Sequence, residues 1–326
     1  MHVEPTPTPL TDWLRSALGT AHPADVDAAV LEDLREGLDA LAVRAAARVD
    51  PVALPLRLTK ATVAALLDCP RSGAARLAGA TDTGPTTALA LGALFEQVAH
   101  LVVERVVDPE ADGPLRTLDR ACEALRTVGA DDLVDVVLGA ERDLLAEQLA
   151  ERVRRFRASW RTTLHPAWWY RSELPLELAL GDLGDGPAAV VACRIDIALG
   201  PTPPATGSAW RPRLLVELKS GRPDTGHVDD LALYLLVAAL VEGAAPSGGA
   251  VWWAAPALPA PQGLLCEVRA DAPTLQSAAV RVGRALEVLA DVMQGRVETN
   301  PGPWCRFCPD RRVCPVAAGP DEDDVL

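Results

Sequence analysis

Asp196, Glu217 and Lys219 are polar side chains set in apolar surroundings. Asp196 stands in "VVACRIDIAL", and Glu217 and Lys219 stand two residues apart in "LLVELKSG". A carboxylate in a run that reads as a buried strand is costly unless it is paired, hydrogen-bonded or bound to a metal. Residues i and i+2 of a strand share one face, so Glu217 and Lys219 point together while Leu218 points into the core. If the strands carrying Asp196 and Glu217 pair as a hairpin, two carboxylates and one ammonium converge. Oxygen ligands of this kind suit Mg²⁺ or Mn²⁺. The lysine can then orient or activate a water for attack on a phosphodiester, while the metal stabilises charge on the phosphate. An ion pair at a sheet edge would leave the same residues in the sequence. Lysine is scarce here, however: of 31 basic residues only Lys60 and Lys219 are lysines.

A second constellation lies near the end of the chain. "CRFCPDRRVC" places Cys305, Cys308 and Cys314 as C-x2-C-x5-C. Three thiolates are one short of a tetrahedral set, so a fourth ligand must come from elsewhere. The chain has seven cysteines. Cys122, Cys193 and Cys266 fall in apolar helix or strand contexts and read as small core residues. Cys69 sits far upstream of the trio, in "LLDCPRSGAARL".

Composition narrows the setting. "MHVEPTPTPL" shows no basic segment followed by an apolar run, so no signal peptide is expected. The longest apolar run, "LALYLLVAALV" (231–241), is too short for a bilayer. A cytoplasmic protein without a membrane partner follows, and there reduced thiols favour metal binding over disulfides. A net charge of −14 excludes a generally basic nucleic-acid binder, so any DNA contact must use a local patch. The most basic stretch is "ERVRRFRASWRTTLHPAWWYR" (151–171). Arg154, Arg155, Arg157 and Arg161 there can contact phosphates, and the interleaved Trp160, Trp168, Trp169 and Tyr170 can stack on unpaired bases. The same stretch also fits a solvated helix face followed by a hydrophobic anchor, with Trp168 and Trp169 in the core.

These residues need a scaffold. Residues from about 10 to 165 carry apolar side chains at helical spacing. The pattern predicts a short helix over 61–68 ending at "CPRSG", an amphipathic helix over 86–107, and one long helix over about 131–163. Strands follow at 172–180, 188–200 and 211–221, then a helix at 226–243, two strands in "GAVWWAAPA" and "LLCEVRA", and a last helix at 274–295. The order β-β-β-α-β-β-α after a helical part indicates an α/β core with helical additions. A soft boundary between lobes is expected near 165–170.

One cysteine before an α/β core, three after it, and D…ExK between them resemble the iron–sulfur branch of the PD-(D/E)xK nuclease superfamily. That branch includes CRISPR-associated RecB-like exonucleases and AddB- and RecB-type nuclease domains. "LTKATVAALLDCPRS" and "PGPWCRFCPDRRVCP" both look like this family, and the resemblance covers roughly residues 57–316. It implies a restriction-endonuclease-like α/β fold: a mixed central sheet flanked by helices, with a helical N-terminal part and the C-terminal Cys cluster packed near it. It also implies a helical extension over 1–56, a nuclease domain over 57–316 with a helical insertion at about 86–165, and an acidic disordered tail over 317–326. Cys69, Cys305, Cys308 and Cys314 would ligate a [4Fe–4S] cluster; a zinc site would use the same four thiols.

The resemblance further implies a metal-dependent DNA exonuclease acting on single-stranded ends. Asp196 and Glu217 would hold Mg²⁺ or Mn²⁺, and Lys219 would act on the attacking water. The family places a metal-binding His in G-x-x-x-H; here Gly92 is followed by Glu96, with His100 one turn later, so either could be the ligand. The family's Q-x-x-x-Y appears as Asp230 and Tyr234, with Tyr234 matching as a catalytic residue and Asp230 departing from it. A helicase or CRISPR or repair protein is the expected partner, since the chain has no G-x-x-x-x-G-K-[ST] of its own. The departures keep a second function in view: a non-catalytic, cluster-stapled module that binds DNA or a helicase.

Overall fold

The structure is a computed structural model that describes residues 5–6, 9–20, 26–79, 86–104, 109–139, 141–160, 168–201, 213–254 and 263–316. The chain opens with helices α1 (Leu10–Thr20) and α2 (Ala28–Ala46), a short strand β1 (Leu56–Thr59), and the helix pair α3 (Lys60–Asp68) and α4 (Pro70–Leu77). Four helices follow: α5 (Thr87–Val103), α6 (Pro109–Thr127), α7 (Asp131–Leu138) and α8 (Arg142–Ser159). Then come β2 (Trp168–Asp182), β3 (Pro187–Pro201), β4 (Leu214–Lys219), α9 (Thr225–Glu242), β5 (Gly248–Trp253), β6 (Leu264–Arg269) and α10 (Ala272–Met293).

The six strands form a mixed sheet in the order β1-β3-β4-β5-β6, with β2 also on β3. β3 and β4 are antiparallel, as are β5 and β6, while β4 and β5 run parallel. Strands buried on both faces read as continuous apolar runs rather than as alternation. β5 is buried at every position, and β4 at all but Lys219. The parallel β4–β5 pair needs a crossover connection, and α9 supplies it. Residues 231–240 of α9 are all buried, so this helix is apolar all round.

The chain divides into two compact units, each assembled from separated segments. The first comprises 1–31, 85–176 and 194–275; the second comprises 32–84, 177–193 and 276–326. In the first, Phe95 of α5, Phe156 of α8 and Trp252 of β5 meet ring to ring, with Phe156 also stacked on Trp160. In the second, β1 lies parallel to the start of β3, from Leu56 opposite Ala189 to Thr59 opposite Ala192.

One local expectation changes, and two short elements are new. The helix expected over 131–163 is two helices, because Gly139 caps α7 and α8 begins at Arg142. Glycine gives up the most backbone freedom in a helix interior, costing about 1 kcal/mol relative to alanine, so "LGAER" breaks there. α3 ends at Asp68, just before "CPRSG", and Pro70 then starts α4, at a position where its missing N–H and fixed φ suit a first helical turn. The apolar pattern does not foresee β1, since four residues carry too little alternation to separate strand from helix. The acidic tail, 317–326, lies outside the described residues. Among the described residues no helix is long and apolar enough to cross a membrane.

Candidate metal centre

α5 begins cleanly, with the Thr86 side chain accepting the Leu89 N–H at 3.2 Å. From that start Gly92, Glu96 and His100 recur every fourth residue and share one face. Gly92 marks a close approach, since a Cβ there would lie 3.1 Å from Ser220 Oγ, just past the end of β4. The turns carrying Glu96 and His100 therefore stand over the sheet where β3 and β4 carry their polar residues.

Those residues follow from register. Ile197 pairs with Val216, so the next antiparallel step sets Asp196 across from Glu217, on one face. Asp196 Oδ2 accepts the Leu218 N–H at 2.6 Å, which ties its carboxylate to β4. Glu217 is fully buried and its Oε1 accepts from Lys219 Nζ. Lys219 Nζ also lies 4.0 Å from Asp230 Oδ2, on the first turns of α9. Tyr234, one turn further along α9, is buried in the core.

Glu96, His100 and Asp196 each offer one donor atom, and these three atoms lie within 4.8 Å of one another. A divalent ion sits about 2.1 Å from such donors, so they stand at most about 4.2 Å apart when it binds. Small rotamer adjustments close that gap. The set of one imidazole and two carboxylates suits Mn²⁺ or Mg²⁺. His100 is buried, and among the described residues neither of its ring nitrogens has a hydrogen-bond partner. Buried polar atoms in native structures nearly always have partners, and a bound ion would supply one here. Burial, opposed by Glu96, Glu173 and Glu104, lowers the His100 pKa from its ordinary value. A lowered pKa favours the neutral imidazole that ligation requires. The spacing alone leaves Glu96 and His100 as alternatives; the structure brings both to Asp196.

Sequence reasoning missed two neighbours. Glu173 Oε1 accepts from Gln97 Nε2 at 3.2 Å and lies 3.6 Å from His100 Nδ1. In "SELPLEL" Glu173 is indistinguishable from Glu177, and Gln97 is one polar residue on a helix, so neither carried a signal.

The four candidate cluster cysteines all belong to the second unit. Cys69 ends α3 and precedes α4. The segment before and through the cysteine trio is bonded to that turn. Asn300 N–H donates to Cys69 Sγ at 3.4 Å, Asn300 Nδ2 donates to the Asp68 carbonyl at 2.9 Å, and Arg71 N–H donates to the Glu298 carbonyl at 3.1 Å. Arg71 also pairs with Asp310 at 3.0 Å, between Cys308 and Cys314. Gly302 N–H donates to Cys305 Sγ at 3.3 Å, and a Cβ on Gly302 would overlap the Trp304 ring. Backbone N–H groups aimed at sulfur stabilise thiolates, but among the described residues no three of these four thiols form a group whose sulfurs all lie within 4.8 Å of one another. Cys122, Cys193 and Cys266 are buried, and burial pushes the Cys122 and Cys266 thiols up. That is the state of inert core cysteines.

The basic stretch is partly occupied internally. Arg154 pairs with Glu151 at 2.6 Å and Arg155 with the same carboxylate at 3.0 Å. Arg157 shares the last turn of α8. Arg161 lies outside the described residues. Trp160 is buried, while Trp169, expected in the core, is half exposed; the Trp168 side chain is not among those described.

Comparison with known proteins gives three findings. No curated protein matches the chain. One of seven matching solved chains, described as "Crystal structure of SSO0001", is 13% identical and covers 76% of this chain and 93% of its own, with a TM-score of 0.31. A likeness of that size bears on neither fold nor function. The family model of the PD-(D/E)XK nuclease superfamily matches residues 57–315. By that match, which takes in the sheet, α5 and both ends of the thiol set, the chain belongs to the PD-(D/E)XK nuclease superfamily, whose members are metal-dependent phosphodiester hydrolases acting on DNA.

Proposed function

We propose that the chain is a Mg²⁺- or Mn²⁺-dependent exodeoxyribonuclease of the iron–sulfur, RecB-like branch, acting on single-stranded DNA ends in repair, recombination or phage defence. The observation that supports it most is the meeting of Glu96, His100 and Asp196 donors beside the Glu217–Lys219 pair. Glu96, His100, Asp196 and Glu217 hold the ion. When bound, it supplies positive charge against the scissile phosphate. Lys219 presents a compact ammonium that orients the attacking water, with Glu217 and Asp230 as the anions that hold it in place. Tyr234, buried one turn beyond Asp230 on α9, is the tyrosine of the family's Q-x-x-x-Y and has a catalytic role beside Lys219 in this proposal.

Cys69, Cys305, Cys308 and Cys314 hold a [4Fe–4S] cluster whose role is structural. The nuclease domain runs over 57–316, after a helical extension over 1–56. The protein works in the cytoplasm, and a helicase or a CRISPR or repair protein supplies the unwinding its sequence lacks. A non-catalytic binding module is the other reading, and Asp230 in place of the family's Gln, with Glu96 in place of its His, favours it. The test is degradation of an end-labelled single strand in Mn²⁺ against EDTA. Binding without metal-dependent cleavage would favour the module.

Arg154, Arg155, Arg157 and Arg161 form the DNA path in this proposal. Replacing Arg154 and Arg157 by glutamine should weaken binding across all sequences. It should also reduce the slope of log affinity against log salt by roughly 0.7 for each phosphate of a single strand that the variant no longer neutralises. An unchanged slope in filter-binding titrations would assign α8 to structure alone.

A further inference from the structure

We propose that Glu173 is a positioning residue for His100: its carboxylate takes the Nδ1–H and leaves Nε2 to face the metal. The proposal rests on the metal centre proposed above and adds a residue to it. Two independent observations carry it.

The first is backbone. Among the described residues Glu173 is the non-glycine residue with positive φ, at 47°. A residue with a Cβ is strained in that region, and such strain persists only where the surroundings enforce it, most often at functional sites. Here it falls inside β2, where extended backbone would be the default.

The second is what the strain places. Glu173 Oε1 receives Gln97 Nε2 at 3.2 Å, which fixes the carboxylate. The same oxygen lies 3.6 Å from His100 Nδ1 and 3.9 Å from Arg194 Nη1. Gln97 and His100 lie three residues apart on α5, so one carboxylate caps both. His100 Nδ1 and Nε2 are both buried without hydrogen-bond partners among the described residues. A shift of a few tenths of an ångström would turn the Nδ1 contact into a hydrogen bond, and ligation at Nε2 makes the Nδ1–H a better donor. A histidine ligand commonly donates its second N–H to a carboxylate in this way, which fixes the tautomer and raises ligand basicity.

The experiment is a Mn²⁺ titration of the full-length, iron-loaded protein, read by electron paramagnetic resonance. Thermal melting of the same protein before Mn²⁺ addition accompanies it. Glu173→Gly suits the backbone, so its melting temperature should hold or rise while Mn²⁺ affinity falls roughly 10- to 100-fold. Glu173→Gln keeps an acceptor and should lose less. If Glu173 acts through His100, adding Glu173→Gly to His100→Ala should weaken binding no further. Wild-type affinity in Glu173→Gly would overturn the proposal, and so would an equal loss in the His100→Ala background. A wild-type protein that binds no Mn²⁺ would overturn the metal centre itself and this role with it.

Discussion

Lys219→Arg should lower Mn²⁺-dependent cleavage by roughly 10²- to 10⁴-fold, the range expected for a positioned group acting on the attacking water. The fold and the iron content should stay intact. The chain uses arginine for 29 of its 31 cations, so the retention of lysine two residues after Glu217 calls for a lysine-specific reason. The surroundings supply one. Lys219 Nζ reaches a fully buried Glu217 carboxylate and stands 4.0 Å from Asp230, a space shaped for a compact ammonium. A guanidinium is broad, planar and always protonated, and it cannot present a single rotatable donor at that point. Single-turnover cleavage of an end-labelled strand, with circular dichroism on the same samples, measures the effect. Near-normal cleavage would reduce the pair to a structural ion bridge.

Cys69→Ala should release iron and sharply destabilise the second unit. Cys69 and Cys305 are separated by more than two hundred residues of chain, and only a shared cluster would lock them together in the unfolded as well as the folded state. In the loop-closure model a cross-link over so long a loop is worth on the order of 5 kcal/mol, an upper limit for a cluster that also forms in the unfolded chain. The Asn300 N–H would lose its bond to Cys69 Sγ, while the Asn300–Asp68 and Arg71–Asp310 bonds around the turn would remain, so the variant should lose the cluster while keeping part of the packing there. Iron assay and visible absorbance test this together with thermal melting. Full iron content in Cys69→Ala would place the fourth ligand elsewhere. A colourless wild-type protein carrying zinc would change the metal but not the staple.

Much of the fold was legible because burial imposes period. β4 and β5 read as apolar runs and α9 and α10 as helices, while the facing of Asp196 to Glu217 was conditional on β3 and β4 pairing as a hairpin, the register the structure has. What sequence hid was short or relational. β1 is too brief for a period, and the break at Gly139 depends on one residue's entropy within an otherwise helical run. Glu96 and His100 could be set on one helix face, but their distance from Asp196 depends on how α5 lies over β4, and the close approach at Gly92 decides that. Glu173 was invisible because its backbone strain has no sequence signature. The basic stretch was visible as charge, yet the pairing of Arg154 and Arg155 with Glu151 depends on side-chain reach along α8.

The most direct measurement is degradation of a 3′- or 5′-labelled single-stranded oligonucleotide by iron-loaded protein in Mn²⁺, alongside EDTA and Asp196→Ala. The expected result is progressive shortening by the wild type in Mn²⁺, none in EDTA, and none by Asp196→Ala, which loses the carboxylate shared by the Leu218 bond and the metal donors. Cleavage by Asp196→Ala at the wild-type rate, or a wild-type protein that binds the strand and leaves it whole in Mn²⁺, would contradict a nuclease centred on Glu96, His100 and Asp196.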